Sequence, residues 1–159
     1  MHRLVDEIHA AIVLPPVADA LAGTIHTTPI RLGPYAFAHF LLAAGVGNTG
    51  TSQITVEACD DAAGNNPVAI PFTHNYQAAG ANSNDTWQGY VQDAAVGFLT
   101  PAGSHRLFAI SVDARYLPEG KPFVRLTGVE QTASAVAAAV IALLSNARFM
   151  QHPPTGVFS

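Results

Sequence analysis

From residue 24 onward the chain alternates apolar and polar positions in short runs separated by Gly, Asn and Pro. The clearest run is 105–129, HRLFAISVDARYLPEGKPFVRLTGV. Phe108, Ile110 and Val112 fall on one face and Leu107, Ala109 and Ser111 on the other. Val124 and Leu126 repeat the inward phase, with Phe123, Arg125 and Thr127 outward. A two-residue period is that of a half-buried strand, and the intervening Leu117-Pro118-Glu119-Gly120 has turn composition. The pattern predicts a central hairpin here. With the hairpin's own two, it predicts strands over 24–31, 36–44, 52–59, 67–76, 85–91, 105–113, 121–130 and 132–144. Turns rich in Gly, Asn and Pro lie at 45–50, 62–67 and 79–84. Short, regularly spaced strands of this kind make a sandwich or barrel, and eight of them suit a jelly roll.

Two segments break the pattern. Residues 3–14, RLVDEIHAAIVL, place Leu4, Ile8, Ala11 and Ile12 on one helical stripe with Asp6 and Glu7 in the first turn, so a short amphipathic helix is expected, stopped by Pro15 and Pro16. The acidic residues at its start, in place of a basic region, argue against a cleavable leader, and the N-terminus is expected to be retained. Residues 133–144, ASAVAAAVIALL, are apolar on every side, which fits a buried helix or a strand covered on both faces. The tail from residue 150 contains Pro153 and Pro154 and is expected to be an extended arm. Val157 and Phe158 would anchor it on a neighbouring subunit, and it would be dispensable for folding. The resulting plan is an N-terminal helix and arm over 1–23, a β-sandwich domain over 24–149 and a C-terminal arm over 150–159.

Composition sharpens this into an expectation of assembly. Charged residues are 11% of the 159, against roughly a quarter in ordinary soluble domains, while hydrophobic residues are 49%. So little charge leaves apolar surface exposed on a lone monomer, and such surface marks association, here as a homo-oligomer. A formal charge of -4 with seven basic residues disfavours nucleic acid as a partner, and no apolar run is long enough for a membrane-spanning helix. Four of those basic residues, Arg106, Arg115, Lys121 and Arg125, lie in or beside the predicted hairpin. They make it the most cationic surface available and, with Val157 and Phe158, the candidate interface.

Candidate chemistry is sparse. Cys59 is the single cysteine, sits on the same strand face as Thr55 and Glu57, and reads as a structural thiol. Gly45-Val46-Gly47-Asn48-Thr49-Gly50 matches a dinucleotide-binding spacing, but a strand pattern follows it where a helix N-terminus is required, so it reads as a hairpin turn. The seven histidines form no metal-binding spacing, although His26, His39 and His74 lie on predicted strands and would have to converge to make a metal enzyme. Asp60-Asp61 and the loop 82–85 offer oxygen ligands without an EF-hand spacing. Trp87 reads as a core anchor; the alternative is a sugar-stacking platform with Tyr76 and Tyr90. No catalytic residue, metal or cofactor is implied.

From Tyr35 to Phe149 the order of segments resembles a family of small structural proteins encoded in the head gene clusters of tailed bacteriophages and prophages. The most specific stretches are TGTSQITVEACDD, the DTW turn, and SVDARYLPEGKPFVRL with its terminal SNARF. The resemblance implies a non-enzymatic jelly roll or related antiparallel β-sandwich that decorates and cements the outside of the capsid, with the major capsid protein as partner. Such a protein is made in the host cytoplasm and resides on the virion. The family pattern also favours a strand for 132–144. Alternative roles are a head-tail joining protein or a carbohydrate- or receptor-binding module of a fibre.

Overall fold

The computed structural model describes residues 7–47, 49–77, 86–102, 106–147 and 157–158. Among them the chain forms β1 (His9–Val17), β2 (Thr24–His26), β3 (Ile30–Arg31), β4 (Tyr35–Gly47), β5 (Thr51–Cys59), β6 (Val68–Ile70), β7 (Phe72–Gln77), β8 (Trp87–Asp93), β9 (Phe98–Leu99), β10 (Arg106–Asp113), β11 (Phe123–Thr132) and β12 (Val136–Ala147). One sheet runs β1-β12-β4-β10-β7-β8. The other runs β2-β11-β5-β6, with β3 also on β11 and β9 also on β5.

The pairing is nested. β1 pairs with β12, β2 with β11, β4 with β10 and β5 with β6, every pair antiparallel. The first half of the chain thus folds back on the second as one long ladder, which rolls over at each connection to alternate between sheets. That is the jelly-roll arrangement, and β7 and β8 extend its first sheet. The sheets press together the alternate apolar positions anticipated from the period: Phe108, Ile110 and Val112 face Val124 and Leu126 across a core that also holds Phe40, Leu42, Ile54 and Val56. All of these are at most 2% exposed.

Three expectations are corrected. The 105–129 segment is two strands but no hairpin. β10 lies between β4 and β7 in one sheet, and β11 lies between β5 and the β2/β3 pair in the other. Both edges of each strand are already occupied, so the two cannot pair. The linking residues instead carry the chain across the sandwich, through a short 3₁₀ turn (Ala114–Tyr116) that Asp113 caps by accepting from the Arg115 N–H.

The helix expected over 3–14 is strand from His9 onward. β1 adds to the free edge of β12, and Val13 enters the core at 2% exposure. The gain from pairing and burial outweighs a weak local helical preference, and Pro15 and Pro16 are tolerated because β1 is an edge strand. The sandwich therefore takes in residues 9–17, which the sequence pattern places in a separate N-terminal helix and arm. Residues 1–6 lie outside the described set.

The end of the chain returns to its own fold. Val157 is 1% exposed within the core cluster, and its carbonyl accepts from the Arg31 N–H at 2.7 Å. An anchor spent inside the molecule is not available to a neighbour. Phe158 remains 45% exposed. The other arm residues, 150–156 and 159, lie outside the described set.

Candidate association surface

The four basic residues do not form one surface. Arg125 is 9% exposed on the outer side of β11, and its Nε donates to Glu57 Oε2 at 2.8 Å. Thr127 Oγ1 donates to the same oxygen at 2.8 Å, so its lone pairs are left to accept from His26 Nδ1 at 2.9 Å. The turn carrying Asp60 to Asn66 folds over this row, and Gly64 lies so close to Arg125 that a Cβ there would fall 2.4 Å from a guanidinium nitrogen. This cover explains why β11 is buried on both faces.

Lys121 fastens the same turn. Its Nζ donates to Asp60 Oδ1 and to the Asn66 carbonyl, each at 2.6 Å, and this hydrogen bond holds the Asp60 carboxyl below its usual range. The position a cation would take between those oxygens is filled by a tethered ammonium. The Asn65 side chain donates to Asp61 Oδ2 at 2.7 Å and lowers the Asp61 carboxyl likewise. The loop 82–85 lies outside the described residues.

Arg115 is exposed and forms a forked pair with Asp113 through Nε and Nη2. Arg106 sits at the far end of β10, with Nη2 3.5 Å from the Ala102 carbonyl. Eight residues of strand put these two side chains roughly 25 Å apart. Cys59 is buried under the turn at 0% exposure, and desolvation pushes its thiol up, against a smaller lowering from Arg125.

The strand histidines stay apart. His26 is on the outer face of the β2-β11-β5 sheet. His74 is in the interior, bonded to Asp93 at 2.5 Å and stacked on Phe98 with centroids 4.1 Å apart. His39 is on the outer face of the six-stranded sheet, where Nδ1 meets Ser111 Oγ at 2.8 Å and Nε2 meets Ser145 Oγ at 3.2 Å. Each nitrogen faces a hydroxyl that can give or take a proton, and desolvation lowers the imidazole pKa. The GVGNTG segment leads from β4 into β5, across the sandwich and not around a hairpin, and no helix follows it.

Trp87 is no core anchor: it is 44% exposed on the edge strand β8, beside Tyr90 at 76%. Tyr90 lines an open groove of about 300 Å³ with Tyr116, Gln92, Thr73, Asp113 and Arg115. Neither Trp87 nor Tyr76 reaches it.

The feature that sequence reasoning missed is the outer face of β1, β12, β4 and β10. Across it the register aligns Ala10, Leu143, His39 and Ser111 in one row, Ile12, Ile141, Leu41 and Ala109 in the next, and Ala139, Ala43 and Leu107 in a third. None of these side chains is charged. Ile12 is 62% exposed and Ile141 40%. The face turns polar toward β7 and β8, where Thr73, Asn75 and Gln92 continue the rows, and again beyond the first row, where Ser145, Phe37 and Asp113 align. From the third row onward the small side chains leave a shallow hollow of about 410 Å³, lined by Pro16, Val17, Ala43, Gly45, Ala137 and Ala139 among others. The signal was present in the all-apolar 133–144 segment. Its apolar residues on every side suit a buried helix or a strand covered on both faces, whereas the structure makes it a strand, covers one side and leaves the other to solvent.

Comparison with protein-family models, with curated proteins and with solved structures finds no match to this chain.

Proposed function

We propose that the chain is a virion structural protein, a decoration or cement protein on the capsid exterior of a tailed bacteriophage or prophage, acting in many copies on the major capsid protein. The observation that carries this reading is the uncharged apolar outer face of a jelly-roll sheet. Contiguous apolar surface of this extent, rimmed by polar residues, is the mark of a protein-association site. A cement protein has to hold its own copies together through many modest apolar contacts, and a face of aliphatic and small side chains supplies them. The sequence resemblance supports the major capsid protein lattice as what those copies decorate, through surfaces other than this face. Quantitative mass spectrometry of purified particles tests it: the expected result is tens to hundreds of copies per particle. Absence, or a handful of copies, overturns it.

The exposed Tyr90 and Tyr116 in the groove favour a second reading, a carbohydrate-binding module, since tyrosine faces beside Gln, Asp and Arg side chains suit sugar rings and hydroxyls. Glycan-array binding that is lost in Y90A and Y116A would support it. A blank array overturns it.

A further inference from the structure

We infer that the outer face of β1, β12, β4 and β10 is closed by a second copy of this chain, packed face to face about a two-fold axis. The inference rests on the reading of the chain as an assembling structural protein and names the partner of that face.

The face carries nothing that would select an unlike protein. Its three central rows hold no charged side chain, and the two nitrogens of His39, the one titratable group in those rows, are occupied by Ser111 and Ser145 within the chain; Asp113, one row beyond, is paired with Arg115. A partner surface must therefore be equally uncharged and apolar, because charges or unpaired polar groups pressed against it would be stranded without partners. The face meets that requirement itself.

It also carries both halves of a fit. Ile12 and Ile141 project, at 62% and 40% exposure, while Ala139, Ala43, Ala137 and Gly45 form the hollow of about 410 Å³. Projection and hollow are displaced along the strand: Ala139 and Ala137 precede Ile141 by two and four residues on β12, or roughly 7–13 Å. Consider a two-fold axis lying in the interface and running across the strands between the Ile141 row and the hollow. It sets β12 over the partner's β12 and places each Ile141 above the Ala137–Ala139 hollow opposite. By the same operation Ile12 falls over the Pro16 and Val17 end of the hollow. Such an isologous contact is satisfied twice by one surface. Stacked sheets at about 10 Å separation pack in this aligned way.

The area is adequate. Four strands at roughly 4.8 Å spacing, each about eight residues long at roughly 3.3 Å per residue, give a plan area on the order of 500 Å². A face studded with side chains exposes more than its plan area, which approaches the roughly 800 Å² per partner of a standard interface.

Sedimentation velocity and light scattering of the full chain over a range of concentrations test the inference. The expected result is a dimer whose dissociation constant weakens by at least about 100-fold in I141D, because the substitution occurs twice in the interface. A139W, which fills the hollow instead of cutting the projection, should weaken it comparably. Circular dichroism of both variants should match the parent fold, since both positions lie on the outer face. A wild-type chain that stays monomeric at about 100 μM, or any oligomer whose mass neither variant changes, overturns the inference. The two readings fail separately. A monomeric chain found in many copies on particles removes the dimer and leaves the decoration role, while a dimer absent from particles does the reverse.

Discussion

Truncating Val157 to alanine tests whether the chain end belongs to the fold. The side chain is 1% exposed in the core cluster that holds Ile30 and Leu32, and its carbonyl accepts from Arg31 in β3. V157A keeps that backbone bond and removes two methyl groups. At about 0.8 kcal/mol of transfer energy per carbon, plus the cavity left behind, the loss is about 2 kcal/mol. For a chain of this length that lowers Tm by about 4–8 °C. Phe158 is the internal control: it is larger, yet 45% exposed, so F158A should cost no more than about 1 kcal/mol. Thermal and urea unfolding followed by far-ultraviolet circular dichroism, at one protomer concentration for every variant, would read the difference. If V157A unfolds with wild-type Tm, or F158A proves the more damaging, Val157 is not a core residue and the arm reverts to a docking device.

Other consequences follow from single positions. Gly97 has φ +75 and a Cβ there would lie 1.9 Å from the Ile54 carbonyl oxygen, whereas Gly120 has φ +79 with nothing within 4 Å. G97A should therefore lose several kcal/mol or fail to fold, and G120A only the roughly 1–2 kcal/mol of a left-handed alanine, as urea midpoints would show. His39, with its pKa lowered by desolvation, binds a proton less readily in the folded chain than in the unfolded one. Its contribution is thus complete above the unfolded value near 6.5 and is lost as pH falls through the folded pKa. The difference in stability between wild type and H39N should change over that window and be flat above it; a pH-independent difference would remove His39 from the account. Cys59, buried with its thiol pushed up, should resist a thiol reagent at pH 8 in the native protein and react on unfolding, so rapid native labelling would contradict its burial.

The sequence determined the local elements, and β10 shows how far that reaches. A two-residue period is written into β10 by which side chains must leave water, so Phe108, Ile110 and Val112 are assigned inward from the sequence alone, as is the strand character of most of the segments from residue 24 onward. The crossing at Pro71 between β6 and β7, which divides the expected strand 67–76 between the two sheets, is also marked by a residue that cannot donate to a ladder.

Partners were decided only by the tertiary structure. β10 and β11 are neighbours in sequence with a plausible turn between them, yet both find their hydrogen bonds elsewhere, because nesting the two halves of the chain occupies both edges of each. The same long-range pairing drew β1 out of a helical pattern and sent Arg125 and Lys121 to acidic partners Glu57 and Asp60, 68 and 61 residues away. The association face arises in this way too. Ile12, Ile141, Leu41 and Ala109 come from four separated strands, and only the register of β1, β12, β4 and β10 sets them side by side. A strand's period says which residues turn away from the core, but it carries no information about what the outward set will meet, since that depends on which strands lie alongside.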